Sequence, residues 1–317
     1  MKSETLERIK LRGRIRCGVS RGIYGMSFQE GQHWHGFDVD FGKAIAAAVL
    51  GDVEKIEFVS LKPDERFSAL RDDLIDVLCC NATCTFSRDA GQGISFAAMT
   101  CYDGETVMVH RSLGVISVRQ LKNPTVALQS GTTTDINLQR FLTQHGITFA
   151  GRYYSTPQEA LDAYARRECD AYALDRVPLT GERQRLANPE DHVILPETFS
   201  KEPMGPAVKA GDSLWEKLVR WVIYLVIEAE EVGVSSESID AQVTSKDPGV
   251  LNLLKAADGA SHSLHLEPGW ASRVLKQVGN YQEIFERNLG AKSRLKLERG
   301  MNALWSNGGL LYAPPFK

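Results

Sequence analysis

The stretch Asn81-Ala82-Thr83-Cys84-Thr85-Phe86-Ser87-Arg88-Asp89 packs hydroxyls and one guanidinium into nine residues. A guanidinium is a planar fork that matches a carboxylate in two parallel hydrogen bonds, each charge-assisted bond contributing about 1.5–3 kcal/mol. A second anion site is suggested by Ser130-Gly131-Thr132-Thr133, which leads into a helical pattern whose free N–H groups and dipole favour negative charge. Both stretches suit the same group, and a carboxylate gripped by both would draw two parts of the chain together. Asp175, closing the apolar run Ala171 to Leu174, offers the opposite charge. Each feature also has a plainer use. Ser130 to Asp135 reads as an N-cap, Arg88 beside Asp89 as a solvated pair, and Asp175 as the cap of a turn. Asp38 and Asp40 suit the start of a helix, and His33-Trp34-His35 suits a turn.

The elements that position these residues alternate. Arg14 to Ser20 reads as a strand, Phe37 to Gly51 as a helix, and Ile56 to Val59 as a strand. Pro63 to Arg71 reads as a helix and Ile75 to Cys79 as a strand. The order repeats with strands at Thr125–Leu128, Gly151–Tyr154 and Ala171–Leu174, and helices running to Phe141 and over Pro157–Arg166. Such β-α-β order predicts mostly parallel sheets with helices on their faces, and ligands bound beyond the strand ends. Val107–Arg111 and Met204–Lys209 read as extended crossings between two α/β lobes, followed by a long helix over Leu214–Glu231. The expected division is 1–108 with 206–232 as lobe 1, 109–205 as lobe 2, and 233–317 as a helical extension packing on lobe 1. Pro314 and Pro315 exclude regular helix from the tail.

Composition excludes several classes. The 317 residues are 43% hydrophobic and 24% charged, with 37 basic against 40 acidic side chains, which argues against disorder and supplies no field for nucleic acid. The longest apolar stretches, Ala44–Leu50 and Trp221–Ile227, are about a third of a membrane-spanning length. Met1 to Lys10 is charged and has no apolar core of a secretory leader, and Arg16 before Cys17 excludes a lipoprotein cleavage box. The chain is then either cytoplasmic or a mature form whose leader has been replaced by a start Met. Of six cysteines only Cys79, Cys80 and Cys84 are close in sequence. Their spacing lacks the paired knuckles of a zinc site, so ordinary buried thiols are expected and no metal. If one disulfide forms, Cys84–Cys101 is the pair to test first.

Taken together, Cys17-Gly18-Val19-Ser20, Gly36 to Asp40, Asn81 to Arg88, Gln129 to Thr134, Asp175 and Ser200 to Val208 resemble the periplasmic substrate-binding proteins of polar amino-acid ABC transporters. Gly279 to Asn288, Arg299 to Trp305 and the Gly308–Pro315 tail resemble the C-terminal extension of the general L-amino-acid binding subgroup, so the likeness runs from about Thr5 to Phe316. The resemblance implies a two-lobed periplasmic-binding-protein fold of type II with two hinge crossings. It also implies a non-catalytic monomer without cofactor that delivers a free L-amino acid to a permease. By the same resemblance Arg88 holds the ligand's α-carboxylate with Thr83, Thr85, Thr133 and the backbone at Gly131. Asp175 takes the α-ammonium with acceptors near Asn81 and Thr83, while Tyr24 and Phe28 border the ligand side chain. Family members carry an aromatic residue where Cys84 stands and threonine where Ala82 stands, which implies a side-chain pocket of different size or shape. A dehydratase-like enzyme acting on a carboxylate and a ligand sensor are the alternatives on the same fold.

Overall fold

The computed structural model describes residues 2–317. Its first strands are β1 (Ile15–Ser20), the hairpin β2 (Phe28–Glu30) and β3 (His33–His35), β4 (Ile56–Leu61), β5 (Val77–Leu78) and β6 (Ile94–Phe96). Then come β7 (Cys101–Asp103), β8 (Glu105–His110), β9 (Thr125–Gln129), β10 (Ala150–Tyr154), β11 (Ala171–Asp175) and β12 (His192–Ile194). The last are β13 (Glu202–Met204) and β14 (Ala207–Lys209). They form two five-stranded sheets, β4-β1-β5-β14-β6 and β10-β9-β11-β8-β12, bridged by the β7–β13 pair. Within each sheet four strands run the same way and one, β14 in the first and β8 in the second, runs antiparallel to its neighbours.

The crossings lie earlier than the sequence pattern suggested. Val107–His110 does not cross; it belongs wholly to β8, where Val107 and Val109 are buried in the second sheet's core. The connection is made by Cys101–Asp103 against Glu202–Met204, and β14 already belongs to the first sheet. A division at 108/109 therefore falls inside one strand. The helices Phe37–Leu50, Pro157–Ala165 and Ser213–Glu231 lie within a residue or so of their expected bounds. Phe37–Leu50 ends at Gly51 in the left-handed region, φ 76°, which a residue without Cβ adopts without strain. A helix at Glu4–Arg12 was not foreseen. Ser3 caps it by accepting from Leu6 N–H, and Leu6 and Ile9 bury one face of a strongly charged sequence.

The C-terminal region packs on the first lobe. Helices Pro248–Ser261, Trp270–Val278 and Tyr281–Asn288 share one core with Phe37–Leu50 and Ser213–Glu231. Phe37, Phe41, Tyr281 and Phe285 stack there edge to face or tilted, each such pair adding about 0.5–1.5 kcal/mol beyond buried area. The region also grips the first crossing. Asn302 accepts from Tyr102 N–H at 2.7 Å and donates to Tyr102 C=O at 3.0 Å, while Tyr281 O–H donates to Thr100 C=O at 2.7 Å. One edge of β7 thus pairs with β13 and the other with a side-chain amide. No helix among the described residues is long and apolar enough to cross a membrane. Asn302→Ala leaves two part-buried backbone groups of Tyr102 unpaired and is expected to cost about 1–2 kcal/mol, read as a lower urea midpoint.

Candidate functional site

The ends of β1, β5, β9 and β11 face one another across the gap between the sheets, where an open α/β sheet places ligands. Pro63, Arg66, Phe67, Asn81, Ala82, Thr83 and Arg88 line a cavity from the first lobe. Gln129, Gly131, Thr132, Thr133, Thr134, Leu174 and Asp175 line it from the second. Its volume is ≈ 20 Å³, room for about one water. The lobes are shut over it. A Cβ on Gly131 would sit 3.4 Å from Pro63, and one on Gly181 would fall 2.2 Å from the Tyr24 carbonyl oxygen.

Of the residues singled out in the sequence, Asn81, Thr83, Arg88, Gly131, Thr133 and Asp175 converge on this cavity. Asn81 is fixed by Ser20 O–H and by Arg66, whose Nη2 donates to both the Ser20 hydroxyl and the Asn81 carbonyl. Arg88 donates to Thr83 C=O at 2.9 Å and lies over the Phe67 ring at 5.5 Å. Thr85 does not line the cavity; its hydroxyl accepts from Arg88 N–H and caps the helix Phe86–Gly91, so it positions the arginine. Tyr24 and Phe28 stack on each other, ring centroids 4.6 Å apart, outside the lining. Cys84 is half-buried beside it, its N–H donating to Pro203 C=O across the bridge. All six cysteines are free thiols, Cys84 and Cys101 included, so no disulfide joins them.

Sequence reasoning missed a concentration of acid. Glu105 opens β8 directly opposite Asp175 at the end of β11, and Glu202 opens β13. One oxygen from each of the three lies within 4.8 Å of the other two, the only such grouping of possible cation ligands among the described residues. Glu202 is well served: it accepts from Thr83 O–H, from Thr133 O–H at 3.5 Å and from Asn137 Nδ2 at 3.1 Å. Glu105 Oε2 and Asp175 Oδ1 are buried without a partner. An acid at the head of the apolar run Val107–Val109 was the available signal for Glu105, and Lys201-Glu202-Pro203 had been noted only as family likeness.

Burial, then the Glu105, Asp103 and Glu202 charges, push the Asp175 carboxyl well above the usual carboxylate range. Burial and Glu202 raise Glu105 to about 7. Burial raises Asp103 to about 6, against the opposing Val177 N–H, and Asp38 to about 7, against the Arg66 charge. A carboxyl whose folded pKa exceeds its unfolded value of about 4 stabilises the fold fully below that value. The contribution is lost as pH rises through the folded pKa. The unliganded protein is therefore expected to melt at lower temperature at about pH 8 than at about pH 5, a loss on the order of a few kcal/mol, with Glu105→Gln flattening the slope. Thermal melts across that range check the sign.

Two lobes on a two-stranded bridge thus set a guanidinium on one wall of the cavity and a carboxylate on the other. Residues 15–291 match the model of the bacterial extracellular solute-binding proteins, family 3, and the chain belongs to that family. It is 41% identical to the general L-amino acid-binding periplasmic protein AapJ of Rhizobium johnstonii, over 99% of this chain and 93% of that one. It is 40% identical to the glutamate/glutamine/aspartate/asparagine-binding protein BztA of Rhodobacter capsulatus, over 99% and 94%. A solved ABC transporter periplasmic binding protein of Brucella ovis with glutathione bound superposes with TM-score 0.97 at 40% identity, covering 100% of both chains.

Proposed function

We propose that the protein binds a free L-amino acid between its lobes and passes it to the permease of an ABC importer outside the cytoplasm, as a monomer. The observation that carries this reading is that Arg88 and Asp175 line one cavity from opposite lobes. A zwitterion needs a cation for its carboxylate and an anion for its ammonium a few Å apart. Thr133 and the first N–H groups of the helix Thr134–Gln144 reinforce the carboxylate side. The names borne by AapJ and BztA support the class of ligand. The γ-glutamyl end of glutathione, held by the Brucella ovis protein, carries the same amino-acid head. Binding rather than turnover is the reading favoured, since relatives about 40% identical over nearly the whole chain are named as binding proteins.

A cavity of ≈ 20 Å³ admits no amino acid, so the ligand enters an open form and the lobes close on it about β7 and β13. Micromolar binding corresponds to about −8 kcal/mol, within reach of several charge-assisted bonds after the cost of closure. Titration calorimetry with the twenty amino acids and glutathione tests the reading. At least one is expected to bind, and heat from none of them contradicts it. Arg88→Ala and Asp175→Ala are each expected to weaken that binding about 100-fold or more, roughly 3 kcal/mol, with the melting transition retained. Closure has its own test. Gly181→Ala places a methyl against the Tyr24 carbonyl, so affinity should fall about tenfold or more. Small-angle scattering should then show the lobes held apart at saturating ligand.

A further inference from the structure

Asp175 is the carboxylate that lines the proposed amino-acid site, yet two more, Glu105 and Glu202, are packed directly behind it and bonded to the lining residues Thr83 and Thr133. We infer that Glu105, Asp175 and Glu202 act together as a three-carboxylate seat for the ligand's primary ammonium, and that seating it expels a proton. This rests on the amino-acid reading and deepens it.

The geometry suits a –NH3⁺ group. Three N–H donors pointing tetrahedrally at acceptors about 2.8 Å away put those acceptors about 4.6 Å apart. The three carboxylates offer oxygens within 4.8 Å of one another. Glu105 and Asp175 are 0% and 6% exposed, and one oxygen of each, Glu105 Oε2 and Asp175 Oδ1, has no partner in the protein, while Glu105 Oε1 accepts from Thr133 O–H at 3.3 Å. Glu202 is already oriented by Thr83, Thr133 and Asn137. Thr133 thus ties Glu105 and Glu202 together, while one oxygen each of Glu105 and Asp175 is left for a donor.

The same geometry makes the proton count change. Three buried carboxylates at this spacing do not all ionise without a cation among them. The groups around them give little relief. Asp103 adds a further acid from β7, and Cys101 and Tyr172, both facing Asp175, have their own ionisation suppressed by burial. Arg176 is turned away to the carbonyls of Leu195 and Pro196, leaving Arg88 as the cation facing Asp175. In the empty cleft a carboxyl O–H is therefore retained. When the ammonium arrives that O–H bond breaks, its proton passes to solvent, and the carboxylate left behind accepts an N–H from the ligand.

Calorimetry at pH 7 in buffers of high and low ionisation enthalpy counts the proton directly. With an amino acid that binds, about one proton is expected to be released per ligand, and affinity should fall by up to about tenfold per pH unit below pH 7. Glu105→Gln and, should it fail to fold, Glu202→Gln should bind more weakly and release fewer protons per ligand bound, with a flatter pH profile. A packing role for either residue would not alter the proton count. Binding heat that is independent of buffer overturns this inference and leaves the amino-acid reading standing. No binding by any amino acid overturns both. Calcium that stabilises the protein and displaces the amino acid would assign the seat to a metal ion and also overturn it.

Discussion

The close packing of three buried acids beside the cleft is the constraint on which the rest of the structure turns. Glu105 and Asp175 face each other as cross-strand neighbours, and Glu202 meets them from the adjacent bridge. Like charges opposed on a sheet are unfavourable, and burial makes them more so. A fold selected for stability alone would not place them there. The cost is reduced beside a cation, and Arg88 on the opposite lobe is a protein cation whose charge acts on Asp175. That arrangement favours closure over a ligand with its own positive charge.

The scaffold sets these acids at the link between the lobes. The lobes keep separate cores, and their link is a pair of three-residue strands. Those strands carry or border the charged groups: Asp103 lies on β7, Glu105 begins two residues later, and Glu202 opens β13. The proposed ligand contacts thus lie on or beside the two strands that link the lobes. The C-terminal region restrains this bridge, with Asn302 and Tyr281 bonded to backbone groups of Tyr102 and Thr100. An appended segment far from the cleft in sequence thereby bears on how the lobes move.

Much of this was legible in the sequence because period and punctuation carry it. Phe37–Leu50 was readable from its apolar spacing and Gly51, and Arg88, Thr133 and Asp175 from charge and hydroxyls at strand ends. The crossings were misplaced because Val107–His110 is apolar on both faces, which suits a buried strand and a crossing equally. Glu4–Arg12 was missed because its apolar stripe is only Leu6 and Ile9, and its anchor, Asp212, lies about two hundred residues away. The acid seat was invisible for the same reason. Glu105, Asp175 and Glu202 are scattered along the chain, and only the β8–β11 register and the bridge bring them together.

A crystal structure with a bound amino acid tests the central claim most directly. The account predicts the α-carboxylate within hydrogen-bond distance of Arg88, and the ammonium nitrogen at about 2.8–3.2 Å from oxygens of Asp175, Glu105 and Glu202. A ligand seated in the reverse orientation, or bound outside this cleft, would contradict it.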